Sequence, residues 1–139
     1  MTVLSKSIQI SSKGENDMID LTEKISEFIS NSGISNGIII IFVSGSTGSI
    51  TTIEYEPGLI KDFPKMLSRI APKNLDYGHE QMWHDGNGHS HVKASLVGPS
   101  LTVPFKDGQI LLGTWQQIVF LELDTRGRTR NLFFQIIGE

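Results

Sequence analysis

All four histidines of the chain lie in one thirteen-residue stretch, at His79, His84, His89 and His91, interleaved with Asp85 and Asn87. Neutral imidazoles are the usual nitrogen ligands of zinc and its neighbours. If the stretch is extended, His89 and His91 stand on the same side of the backbone, and His79 closes the site from the start of the segment. A fourth position is then left for water or substrate. The same residues could instead hydrogen-bond loop backbone or face solvent, and His84, beside Trp83, suits that reading best. Ser90 suits the N-cap of a short helix stopped at Gly98, which sets His91 in the first helical turn, where the positive helix end favours a phosphate or carboxylate.

Two other polar clusters bear on chemistry. The run Ser44-Gly45-Ser46-Thr47-Gly48-Ser49 could cradle an anion on its backbone N–H groups, but it lacks the lysine of a nucleotide-binding loop and in isolation reads more readily as a connection. In Thr114-Trp115-Gln116-Gln117, Gln116 is either a strand-surface residue or a substrate contact, and Trp115 is more often core than a ligand platform. Glu54 is a candidate general base, with an outward strand carboxylate as the plainer alternative.

These residues must be held by elements that the periodicity outlines. Leu4 to Ile10 alternates with period two and predicts a strand; Asp20 and Glu23 resemble a capping box before a helix over 20–32 that Gly33 stops. The run Ile38 to Val43 is apolar at every position, predicting a central strand covered on both faces. Ile50 to Glu56 reads as extended and ends at Pro57-Gly58, and a second helix starts near Asp62 and runs to Ile70. Residues 76–91 read as a structured loop. Strands at 101–105, 109–112, 116–123 and 132–137, joined by Asp107-Gly108 and Arg126-Gly127 turns, predict an antiparallel meander. The whole is an α+β fold, a mostly antiparallel sheet with two main helices packed on one face, in a single domain over residues 1–139.

The totals exclude several classes. With 139 residues, net charge −3 and 12 scattered Lys and Arg, no basic stripe is present to meet a nucleic-acid backbone. The absence of cysteine removes disulfides, thiolate metal sites and a cysteine nucleophile. The apolar run at 38–43 is far too short to span a bilayer, and the N-terminus has no apolar run of signal-peptide length. A soluble, cytoplasmic protein with no nucleic-acid or membrane partner is expected.

The ordered set His79, Asp85-Gly86-Asn87-Gly88-His89-Ser90-His91, Gly98-Pro99-Ser100-Leu101, Pro104 and Gly113-Thr114-Trp115-Gln116, ending in Ile-Gly-Glu, resembles the YjbQ-like family, also called the secondary thiamine-phosphate synthase family. The resemblance covers nearly the whole chain. It implies an α+β subunit assembled as a homotrimer, polar sites near subunit boundaries, and metal-binding histidines matching His79 and His91. It also implies a weak thiamine-phosphate synthase activity, joining a pyrimidine pyrophosphate to a thiazole phosphate with loss of pyrophosphate. Many members carry a histidine in the loop after the core strand where this chain has Gly45, and His89 is the expected replacement. The resulting assignment is a divalent metal, zinc, on His79, His89 and His91, with magnesium for any phosphoryl chemistry. Glu54 and Gln116 are the catalytic candidates, and Ser46, Thr47, Asn87, Ser100 and Thr114 bind a small phosphorylated substrate. Two alternatives use the same residues: a non-catalytic metal- or anion-binding assembly protein, and a metal-dependent phosphate-ester hydrolase.

Overall fold

The computed structural model describes all residues from Met1 to Glu139. Eight strands form two antiparallel sheets. The larger contains β1 (Thr2–Ser11), β8 (Thr129–Gly138), β3 (Gly37–Ser44), β5 (Ser100–Lys106) and β6 (Gln109–Ile110), in that spatial order; the smaller contains β2 (Met18–Asp20), β7 (Gln116–Glu122) and β4 (Gly48–Glu54). Four helices complete the α+β fold: α1 (Thr22–Asn31), α2 (Pro57–Ile70), α3 (Gly78–Trp83) and α4 (Gly88–Val97).

Alternation decides how the layers meet. Ile39, Ile41 and Val43 of β3, with Leu132, Phe134 and Ile136 of β8, point from the larger sheet onto Ile118 and Phe120 of β7 and Ile50 of β4; Ile25, Phe28 and Ile29 of α1 join this core. On the opposite face of the smaller sheet, Val119 and Leu121 meet Leu67 of α2 and Ala94 of α4. β7 is therefore the strand buried on both faces, which accounts for its unbroken run Ile118-Val119-Phe120-Leu121. The sequence had suggested that role for β3, but Ile38 and Phe42 are 37% and 40% exposed, because the outer face of the larger sheet is uncovered in the subunit.

Local chemistry sets the helix boundaries. The backbone N–H of Thr22 donates to Asp20 Oδ1, and Gly33 ends α1 at φ 74°. α2 begins at Pro57, five residues before the predicted start. Glu56 is its N-cap and accepts from the N–H groups of Gly58 (2.8 Å) and Leu59 (2.5 Å), while proline at the first helical position has no N–H to satisfy. α3, predicted as loop, is a six-residue helix ended by His84 in the left-handed region. α4 starts two residues before the predicted Ser90 cap, at Gly88, whose N–H donates to Glu80 Oε1 at 2.6 Å.

Phe120 is fully buried where both sheets and α1 converge. Phe120→Ala is expected to cost about 3–5 kcal/mol in a urea unfolding experiment; a loss below about 1 kcal/mol would mean that this core is not the one described.

Candidate functional site

The chain turns sharply between α3 and α4, and one carboxylate organises the turn. Glu80 accepts from the N–H groups of Gly86 and Gly88, both at 2.6 Å, so it supplies the cap that Asn87 does not give α4. Gly88 is required because a Cβ there would stand 2.6 Å from the Cβ of Tyr77. With the turn fixed, His79 of α3 and His91 of α4 lie against each other, ring centroids 4.2 Å apart. His79 Nε2 is 3.1 Å from Asp85 Oδ1 and 3.0 Å from one terminal atom of the Asn87 amide, and that atom is itself 2.7 Å from Asp85 Oδ1. The other terminal atom of Asn87 is 3.4 Å from Asp124 Oδ1. Which end of the amide faces Asp85 follows from what else is present: the NH₂ if it must donate to the carboxylate, the oxygen if a cation lies there.

Beside this cluster is a cavity of about 410 Å³ whose walls carry no apolar side chain. It runs from Asp85, Asn87 and His91 to the Ser44–Thr47 loop and Arg130. Beneath it lies a buried charged network. Arg130 Nε donates to Glu122 Oε2 at 2.9 Å, and its Nη2 donates to the other Glu122 oxygen and to Thr47 Oγ1. Thr47 Oγ1 donates to Asp124 Oδ2 at 3.1 Å, and Arg128 donates to the same oxygen at 2.7 Å.

Burial alone would raise the Asp124 carboxyl, but donation from Arg128, the Thr125 N–H, Asn87 and Thr47 holds it well below the usual carboxylate range. His91 is shifted the other way from a free imidazolium's preference: burial first, and the neighbouring His79 second, push it below its ordinary value, against the pull of Asp85, Asp124 and Glu80. A neutral His91 keeps a lone pair for a metal or a proton.

The structure brings together His79, His91, Asn87, Ser46 and Thr47 from the predicted set, and it separates the rest. His89 is a correction. Two helical residues apart means about 200° around the axis, so His89 faces away from His91; it is 2% exposed, with Nε2 2.9 Å from Glu15 Oε1. The side-chain donors within 4.8 Å of one another are those of His79, Glu80 and Asp85, and neither His89 nor His91 is among them. Glu54 and Gln116 also leave the site. They are opposite each other at the far end of the β4–β7 ladder, while Gly48 begins β4 near the cavity, and seven strand residues span about 20 Å. Gln116 Oε1 accepts from the Gly113 N–H and its Nε2 donates to Thr52, bracing the turn that also presents Thr114 and an exposed Trp115. Ser100 pairs with Phe42 on the larger sheet and does not line the cavity. His84 is exposed.

Arg128, Arg130, Glu122 and Asp124 were missed. The only trace in the sequence is Arg126, Arg128 and Arg130 at alternate positions after a turn, and alternation in a hairpin ordinarily means a solvated face.

The depressed Asp124 value has a pH consequence. Its ionised form is favoured by the native state, so the stabilisation is complete above the unfolded-chain value near ~4 and is lost progressively as pH falls from there through the depressed native-state value. Asp124→Asn is expected to lower the melting temperature at about pH 7 and to flatten its decline between about pH 5 and 3. An undiminished acid decline in the variant would assign that decline to other carboxylates.

Comparison with known proteins agrees with this architecture. Residues 6–139 match the family model described as UPF0047 protein YjbQ-like. A UPF0047 protein of Methanocaldococcus jannaschii is 39% identical over 132 residues, covering 94% of this chain and 92% of that protein. One from Methanothermobacter thermautotrophicus is 37% identical over 139 residues, covering 100% and 95%. Among solved structures, a YbjQ-like protein of unknown function from Sulfolobus solfataricus P2 superposes with TM-score 0.92 at 31% identity, covering 99% of each chain. An uncharacterised member from Clostridium acetobutylicum gives 0.82 at 37% identity, covering 94% of this chain and 99% of that one. With sequence and fold matched over almost its entire length, the chain belongs to the YjbQ/UPF0047 family.

Proposed function

We propose that His79, Asp85 and Asn87 hold a divalent metal ion, zinc, at the edge of the polar cavity, with the His91 ring packed against His79 beside it, and that the protein acts there on a small phosphorylated molecule. The observation that carries this reading is the triangle of His79 Nε2, Asp85 Oδ1 and the Asn87 terminal atom, with sides of 2.7, 3.0 and 3.1 Å. Ligands about 2.1 Å from one ion stand about 3.0 Å apart in octahedral and about 3.4 Å apart in tetrahedral geometry, so the triangle is close to an octahedral shell and must open by a few tenths of an ångström to hold tetrahedral zinc. With the Asn87 oxygen turned inward, the three atoms are all electron-pair donors, a grouping that a cation stabilises and that otherwise needs a proton on His79 or a turn of the amide. Glu80, the remaining carboxylate nearby, is committed to the Gly86 and Gly88 N–H groups and orients the ligands from behind.

Such an ion, when bound, supplies Lewis acidity toward a phosphoryl oxygen. The chain's own residues do the rest: Glu80 holds the turn, the Asn87 NH₂ is held by Asp124 so that its oxygen faces Asp85, and the polar walls favour a hydrophilic ligand. Thiamine-phosphate synthesis is the reaction the family resemblance implies, and its departing pyrophosphate is a group such a site would stabilise. Assembly as a homotrimer is part of the same proposal. It is supported by the exposed apolar outer face of the larger sheet, where Val3, Ile38, Phe42 and Phe133 are uncovered in the subunit.

Three kinds of measurement test this. Protein purified without chelator should carry about one zinc per chain by elemental analysis, and His79→Ala and Asp85→Ala should each weaken zinc binding at least ~10-fold while leaving the circular dichroism spectrum native. Thiamine-phosphate formation that persists after chelation and in His91→Ala would exclude a metal-centred reaction. Sedimentation should give a trimer that Phe133→Lys dissociates, and a wild-type monomer at micromolar concentration would remove the assembly proposal.

A further inference from the structure

Arg130 is 4% exposed, and its guanidinium is only partly satisfied. Nε and Nη2 donate to Glu122 and Thr47, whereas Nη1 has no acceptor within the protein. Nη1 is not sealed off by protein, so its two N–H groups are open to water or a ligand in the cavity. Its direction is known from its neighbour: a Cβ on residue 45 would stand 2.8 Å from Nη1, so the nitrogen is aimed at the bare backbone of Gly45 in the cavity wall. Ser44 and Ser46, both exposed, flank that glycine and line the same cavity.

We propose that Arg130 Nη1, with the Ser44–Thr47 loop, is the anchor for a phosphate group whose parent molecule extends across the cavity toward His79, Asp85 and Asn87. The far end of this arrangement rests on the metal-site reading; the anchor itself rests on Arg130 and Gly45. A phosphate suits it better than a carboxylate because its three terminal oxygens can accept from Nη1 and from two serine hydroxyls at once, where a carboxylate has two oxygens. Charge balance gives the site a second property. Arg130 is offset by Glu122 and Arg128 by Asp124, so Asp85 and Glu80 leave the neighbourhood at net −2 and a bound divalent ion brings it to neutral. Phosphate and metal therefore each strengthen binding of the other, by the same factor.

The test is calorimetric titration of inorganic phosphate into full-length protein, zinc-loaded and chelator-treated, as wild type and as Gly45→Ala. The alanine methyl would stand 2.8 Å from Nη1, so it displaces the guanidinium from its place at residue 45 without removing the Arg130 charge or any proposed zinc ligand. Zinc-loaded wild type should bind phosphate more tightly than chelated protein, and Gly45→Ala should weaken phosphate at least ~10-fold in the loaded form with zinc content unchanged. Should Gly45→Ala not fold, the Ser44→Ala, Ser46→Ala double variant, altering only exposed side chains, should lose phosphate affinity several-fold. Affinity within twofold of wild type in the folded variant overturns the anchor, as does acetate competing as well as phosphate. If zinc makes no difference but Gly45→Ala still weakens phosphate, the anchor stands and the metal-site reading fails.

Discussion

The contact between Arg130 and Glu122 joins two sheets that are otherwise held together by apolar packing alone at their centre. Arg130 belongs to β8 in the larger sheet and Glu122 to β7 in the smaller, and both are almost fully buried. Deleting either partner would leave an uncompensated charge in the interior, which is far more damaging than losing a surface pair. The pair also fixes its surroundings. Thr47 takes its place before β4 because its hydroxyl accepts from Arg130 and donates to Asp124; Ser12, at the end of β1, donates to Glu122. One end of the sandwich is thus polar by construction, and the cavity opens there.

The histidine segment comes to that end through a different device. Short helices with an abrupt turn between them leave backbone donors unsatisfied, and Glu80 meets two of them. Its carboxylate thereby sets the angle between α3 and α4 and places His79 beside His91. The cavity then has chemically distinct ends, imidazole, carboxylate and amide at one and a buried guanidinium with small hydroxyl residues at the other. Such an arrangement suits a molecule carrying an anionic group at one end and a reacting or metal-bound group at the other.

Much of the fold was legible because long elements have strong periods. β1 and α1 follow from alternation or helical spacing and β3 from an unbroken apolar run, but the late strands do not form the expected meander: only β5 and β6 pair as a hairpin, while β7 and β8 lie in different sheets. β2 has only three residues and α3 only six, too short for either period to register. The start of α2 was misplaced because Pro57-Gly58 was read as a break, when proline at the first helical position and Glu56 before it form a beginning. The division into two sheets could not be read at all. Hydrophobicity marks a strand as buried but carries no record of its partner, and β7 and β3, both apolar runs, exchanged their expected roles for that reason.

The same distinction separates the parts of the site. Local sequence determined that His79, Asp85, Asn87 and His91 share one short polar segment, which extended would span about 40 Å and is brought together only by the turn that Glu80 holds, and it determined the small polar loop that includes Gly45. What only tertiary structure decided was direction and long-range company. A helix in place of an extended segment turned His89 away toward Glu15, and strand length carried Glu54 and Gln116 to the other end of the smaller sheet. Arg130 reaches Thr47 across 83 positions of sequence. Pairing at that separation depends on how sheets stack, a cooperative property of the whole core, and no local pattern encodes it.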